Sequence, residues 1–233
     1  LELLLVTQDL GPKYDLVILL GRLKSTEAVK PLTHLLNSSD RSLQGHVAES
    51  LRSIGDPKSM TSLLPLLKSD DEKLRIQVAS AFGRVPHPGC ARALIESLED
   101  ENLEVRKLCV AALGELRDKR AVPALVPFLK DSHTEMRIAA AEAMGCMGDR
   151  RAVPDLLKMI EDQDESVILK ALSALRKIKE PATAPTVMKL LLHENSHVRQ
   201  RAIEVLGHVG DAVVAERLEQ ILKNDGSEEV RVS

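Results

Sequence analysis

The chain has 233 residues, 44% of them hydrophobic and 29% charged, with a formal net charge of −3. That is the balance of an ordinary soluble protein, and the interspersed acids and bases exclude the basic footprint of a nucleic-acid binder and the polybasic run of a membrane-surface protein. Tyr14, Phe82 and Phe128 are its aromatic residues and Trp is absent, so small and aliphatic side chains must fill any core.

From Leu1 to Leu23 the sequence reads as an incomplete repeat, opening on the apolar LELLLV and ending near Gly21. Constant steps of 31 residues from Gly21 reach Arg52, Gly83, Gly114, Gly145, Arg176 and Gly207 without insertion or deletion. The residue before each is apolar: Leu20, Leu51, Phe82, Leu113, Met144, Leu175 and Leu206. Two further apolar columns keep the same phase. One is Leu32, Leu63, Leu94, Leu125, Leu156, Val187 and Leu218; the other is Leu36, Leu67, Leu98, Leu129, Ile160, Leu191 and Leu222. A fixed period of this length marks a repeat array.

Lys24 to Gly55 is the first full unit, and Asp56 to Val85 the second. The third, 86–117, opens on Pro86-His87-Pro88-Gly89. Prolines there stiffen the turn and remove donors, which predicts a local change of stacking angle. The most regular copy is Asp118 to Gly148, followed by 149–179, 180–210 and the partial 211–233. In that copy a first helix is predicted over Val122 to Lys130. Pro123, like Pro154 and Pro185, falls in its first turn, where a missing N–H is harmless. A second helix is predicted over Thr134 to Met147, with Met136, Ala140, Ala141, Met144 and Met147 as its apolar stripe. Twelve residues before the anchors stand Asp40, Asp71, Asn102, His133, Asp164 and Asn195, a column suited to capping the second helix. Gly55, Gly148 and Gly210, each before an Asp, suit the left-handed residue that ends a helix.

The pattern predicts an all-α α-solenoid: a right-handed superhelix of antiparallel helix pairs, about seven 31-residue repeats in one array over residues 1–233. No linker or low-complexity tract interrupts it. The chain opens at Leu1 without Met and stops at Ser233 inside a repeat, so it reads as a piece of a longer protein. Cys90, Cys109 and Cys146 lack the spacing of a metal knuckle and predict a reducing, cytoplasmic setting. There is no signal peptide and no apolar run long enough to cross a bilayer.

These units resemble HEAT-like repeats of the short bacterial, phycobilin-lyase type. The resemblance rests on Gly148 to Leu157 (GDRRAVPDLL), Gly114 to Val126 (GELRDKRAVPALV), Val198 to Asp211 (VRQRAIEVLGHVGD) and Glu135 to Asp149 (EMRIAAAEAMGCMGD), and it covers nearly the whole chain. It implies the fold. For function it admits scaffolds, bilin lyase subunits, iron-dependent hydroxylases and regulatory modules of larger enzymes, among which fold does not choose. The hydroxylases carry His-Glu pairs within the second helices. The matching positions here are Gly45-His46, Ile76-Gln77, Lys107-Leu108, Ile138-Ala139, Leu169-Lys170 and Gln200-Arg201, none of them His-Glu.

Several residues carry candidate chemistry. His193-Glu194-Asn195-Ser196-His197 matches the H-E-x-x-H zinc pattern, but Asn195 lies in the capping column, so the helix begins inside the motif and the two imidazoles do not share a helical face. Arg75, Arg106, Arg137 and Arg199 form a column, interrupted by Gln44 and Ile168, that reads either as an anion track or as bridges to acids and turn carbonyls, with Asp71, Asp131 and Asp164 as partners. Cys109 falls in the core stripe and Cys146 at a surface position of the second helix.

The most informative feature is a face of the second helix that is not held apolar. It comprises the positions seven, six and three before the anchor and one after it, of which seven, three and one after lie four apart and share a helical side. Stacked repeats would turn this face inward as a concave strip. Ile76, Leu108, Ile138 and Leu169 are apolar there, which marks an interaction surface unless neighbouring helices cover them. Gln77, Lys107, Ala111, Ala139, Glu142, Lys170 and Arg201 complete the candidate site. The reading is a non-enzymatic module that binds a protein partner, with no catalytic residue, metal or cofactor, no nucleic acid and no membrane. The alternative is a bilin-lyase-like subunit or a regulatory module of a larger enzyme, although so few aromatics give little to stack on a tetrapyrrole. DNA handling by helical repeats is a third class, disfavoured by the low net charge.

Overall fold

A computed structural model describes residues 9–85, 87–210, 214–216 and 219. The opening LELLLV, Pro86, Asp211, Leu218, Leu222 and the end of the chain from residue 220 lie outside them. Among the described residues there are helices and turns and no strand. Seven long helices recur: α1 (Leu10–Arg22), α2 (Arg41–Ile54), α3 (Glu72–Arg84), α4 (Leu103–Leu116), α5 (Thr134–Met147), α6 (Glu165–Ile178) and α7 (Ser196–Val209). Each is a second helix of the repeat pattern, and α5 has the bounds expected from the sequence. The fold is an all-α solenoid.

The chain forms two compact units, Leu1–Leu116 and Arg117–Ser233. In the first, α1 packs on α2, α2 on α3 and α3 on α4. In the second, α5 packs on α6 and α6 on α7. Within each unit the short first helices lie against the long helix that follows them, Val29–Leu35 on α2 and Val153–Lys158 on α6. The apolar columns meet along these seams. Leu51, Phe82, Leu113, Met144 and Leu175 are fully buried, as are Leu32, Leu63, Leu94, Leu125, Leu156 and Val187. Burial of these side chains contributes about 1.5–3 kcal/mol each, and it recurs at every repeat.

The first helix is not one continuous α-helix. In the Asp118–Gly148 copy, α-helix covers only Val122–Leu125, and Val126–Lys130 is 3-10 helix. The same 3-10 ending recurs at Met159–Glu161 and Met188–Leu192, which hold no proline, so it belongs to the repeat and Pro127 is accommodated by it. Pro65 lies within the corresponding 3-10 segment, Thr61–Lys68.

The turns are tied by two side chains per repeat. The capping column acts as the sequence predicts: Asp40 accepts from the Leu43 N–H at 3.0 Å, Asn102 from Glu104 at 2.8 Å and Asn195 from His197 at 2.8 Å. His133 breaks the rule and makes no cap. A second column, two residues earlier, escaped the sequence reading. Ser38, Ser69, Asp100, Asp131, Asp162 and His193 each accept the N–H of the capping residue two places on. Such side-chain turns fix the direction in which the next helix starts.

Three residues after the anchors the backbone turns left-handed. Gly55 (φ 78°) and Gly148 (φ 61°) do so as expected, and Lys24, Arg117 and Lys179 do so without glycine, at φ 50–56°. Gly210 does not; its φ is −76°. A Cβ there would lie 2.7 Å from the Leu206 carbonyl oxygen and from Val214, so close approach, not handedness, calls for glycine at that turn.

Candidate partner-binding face

The arginine column is structural. Arg75 donates to Asp100 at 2.8 Å, to the Ser69 carbonyl at 2.9 Å and to Glu101 at 3.2 Å. Arg137 repeats this with Asp162 at 2.9 Å and the Asp131 carbonyl at 2.8 Å. Arg106 and Arg199 reach the carbonyls of their own turns. Where the column holds Gln44, its amide donates to Leu36 and Ser38 carbonyls at 2.8 Å, a shorter replacement for the same fork. The carboxylates that bond the column are Asp100 for Arg75 and Asp162 for Arg137. Of the acids the sequence suggested, Asp164 feels the charge of Arg137 without bonding it. Asp131 contributes its carbonyl, and Asp71 and Asp164 are occupied as helix caps. An arginine reaches across to the turn of the next repeat because that is where the side-chain turn holds an acid still. Arg75 and Asp100 are both nearly enclosed, with side-chain exposures of 8% and 9%, which leaves no open anion track at this position.

The H-E-x-x-H match does not form a metal face. Asn195 caps α7, which begins at Ser196, and the Nδ1 of His193 accepts from the Asn195 N–H at 3.1 Å. The break in the helix inside the motif is as the capping column requires. Among the described residues, no group of three or more His, Cys, Asp or Glu is placed to hold a metal ion. Burial pushes the thiols of Cys90 and Cys109 up to about 11 and about 12, which keeps both protonated and unreactive. Cys146 is half-buried, with the Lys177 ammonium 3.5 Å from its sulfur.

The variable face runs along the second helices of each unit. In Leu1–Leu116, Ile76, Lys107 and Leu108 are half-buried, and Gln77 and Ala111 are exposed. Lys107 is steadied by Glu104 at 3.1 Å. Nearer the start, the Tyr14 ring meets His46 edge-on at 5.0 Å and its hydroxyl donates to Asp40 at 2.7 Å. That bond raises the Tyr14 phenol and holds the Asp40 carboxyl below its usual range. In Arg117–Ser233, Ile138, Ala139, Leu169, Lys170 and Arg201 are half-buried and Glu142 is exposed. Lys170 pairs with Glu142 at 3.1 Å, and Arg201 with Glu204 at 2.5 Å. The apolar residues are neither sunk in the core nor fully open. They form shallow apolar centres rimmed by charge, without an activated nucleophile or an acid–base pair.

The helices carrying this face approach one another closely. A Cβ on Gly21 would lie 2.8 Å from the Ser50 Cα, and one on Gly145 would lie 2.8 Å from the Ala174 Cα. From the second anchor on, the residues two before it are Ser50, Ala81, Ala112, Ala143, Ala174 and Val205, all buried. At Gly21 and Gly145 this close approach calls for glycine, whereas Gly83 and Gly207 have open space around them. The sequence matches HEAT repeats over residues 12–83, 60–145, 91–176 and 153–233.

The chain belongs to the HEAT repeat family. Its HEAT array resembles solved structures at the level of fold. One is an engineered protein, 21% identical, covering 98% of this chain and 74% of that one with a TM-score of 0.63. A second engineered protein is 22% identical and covers 78% and 96%, with a TM-score of 0.61. The complex of CpcE and CpcF of phycocyanin lyase from Nostoc sp. PCC7120 matches at 23% identity over 88% of this chain and 91% of that one, with a TM-score of 0.58. No curated protein matches the sequence. Among the described residues, no helix is long and apolar enough to cross a membrane.

Proposed function

We propose that this HEAT array is a non-enzymatic interaction module that holds a protein partner on the exposed face of its second helices. The observation that carries the reading is the recurrence of half-buried apolar side chains, Ile76 and Leu108 in one unit and Ile138 and Leu169 in the other, at positions where solvent favours polar ones. Apolar centres ringed by charged residues are what protein interfaces use. The repeat-tied turns and close helix seams support it, because a stiff surface lowers the ordering cost of binding. The CpcE–CpcF likeness adds that a protein of this fold assembles with another chain. Partner binding would rest on Ile76, Gln77, Lys107, Leu108 and Ala111 in the first unit, and on Ile138, Ala139, Glu142, Leu169, Lys170 and Arg201 in the second.

Affinity capture from the source organism tests the reading, with the wild-type array beside Leu108→Asp and Ile138→Asp variants. A protein retained by the wild type and released by either variant, at unchanged helicity by circular dichroism, supports the module. The same captured set on all three baits removes it.

A further inference from the structure

We propose that the second-helix face of the Arg117–Ser233 unit is built for an acidic segment of a partner protein that also carries leucine-like anchors. The proposal rests on the protein-binding reading above and adds the chemistry of what binds. On this face α6 and α7 present four permanent cations, Lys170, Arg176, Lys177 and Arg201, with the imidazole of His208 beyond them. Two carboxylates answer them. Glu142 is taken by Lys170 at 3.1 Å. Glu204 serves both Arg201 at 2.5 Å and Arg176 at 3.8 Å. At the start of α6, Glu165 is engaged by the Asn195 amide.

With Glu165 counted, since a neutral amide does not cancel its charge, one positive charge is left over on a chain whose formal net charge is −3, so the surplus is local. Its detail points outward. The Lys177 stem lies across Gly145, where a Cβ would sit 3.5 Å from its Cδ, and its ammonium meets a thiol sulfur, a weak acceptor, at 3.5 Å. A carboxylate arriving at the exposed Lys177 would supply the strong acceptor its ammonium lacks, and charge-assisted bonds of this kind are the strong ones. Ile138 and Leu169 stand at equivalent positions of neighbouring helices beside this patch, and both are half-buried. An incoming apolar side chain can rest on them while flanking carboxylates meet the cations. A basic segment would be repelled. Nucleic acid would find only a small charge surplus and no aromatic platform on these helices.

Labelled synthetic peptides in which leucine alternates with Glu, Gln or Lys are titrated into the whole chain, with a single-stranded oligodeoxynucleotide as a fourth probe. The Glu peptide is expected to bind tightest and to weaken steeply with salt. In Lys170→Glu/Lys177→Glu its affinity should fall about tenfold, while the Lys peptide gains. Leu169→Asp should weaken both the Glu and the Gln peptides, the Glu peptide more because the new carboxylate repels it. Equal binding of the three peptides, failure of all of them, tighter binding of the oligodeoxynucleotide, or indifference to the charge reversal overturns the proposal. If the peptides bind equally but Leu169→Asp still releases them, the apolar docking face stands and the acidic preference alone is wrong. If Leu169→Asp also changes nothing, the face itself is wrong.

Discussion

A methyl group is the unit in which the helix seams are set. A Cβ on Gly145 would meet the Ala174 backbone at 2.8 Å, whereas one on Gly83, in the same column, would meet nothing within 4 Å. Gly145→Ala should therefore force α5 and α6 apart and destabilise by about 1–3 kcal/mol. Gly83→Ala should stabilise by about 0.5–1 kcal/mol, since glycine inside a helix loses more backbone freedom. Urea midpoints of the two variants check this pair, and equal shifts of one sign would contradict the geometry. Lys179 is left-handed at φ 56° without being glycine. Lys179→Gly is expected to stabilise by roughly 1 kcal/mol, read as a raised midpoint in the same way.

Between elements, the ties are polar and pairwise. Arg75 joins α3 to the turn before α4 through Asp100, with both side chains enclosed. Arg75→Ala leaves a buried carboxylate without its cation and should cost about 3 kcal/mol in a chemical melt. Adding Asp100→Asn to Arg75→Ala should recover part of that loss, because the amide removes the stranded charge and keeps an acceptor for the Asn102 N–H. The Tyr14–Asp40 bond ties α1 to the start of α2. Its acid partner is held below the ordinary aspartate value of 3.8. A depressed carboxyl contributes stability that is present above the unfolded value and is lost as pH falls through the folded one. Stability should thus drop as pH falls below that value, and Tyr14→Phe should flatten the drop by removing the hydrogen bond that causes the shift. Urea midpoints followed down the acid range of both proteins decide it.

At the scale of the whole molecule, the repeat was legible because each unit buries the same columns. Leu20 to Leu206 and Leu32 to Val187 stay in phase in the sequence and are buried in the structure. The second helices were legible too, since a stripe and an end signal agree at α5, and a cap and an end signal agree at α2. The first helix was legible in extent, Val122–Lys130, but not in its division into α and 3-10, because a short apolar run has the same look in either. The acid partners of the arginine column were misjudged for a related reason. Spacing along one helix says nothing about which turn of the next repeat comes near, and Asp100 and Asp162 are brought there by packing. For the candidate face, the sequence showed which positions escape the apolar pattern. It held no sign that Arg176 and Arg201 share Glu204, or that Lys177 rests on Gly145, since those contacts need adjacent helices in place.

The central claim is that the second-helix faces hold a protein. It is tested most directly by the affinity of one captured partner for the wild type, for Leu108→Asp/Ile138→Asp, and for Arg92→Asp, whose side chain is exposed on a first helix. The account predicts a loss of about tenfold or more for the first variant and none for the second. Equal affinity for all three proteins, or a loss confined to Arg92→Asp, would contradict it.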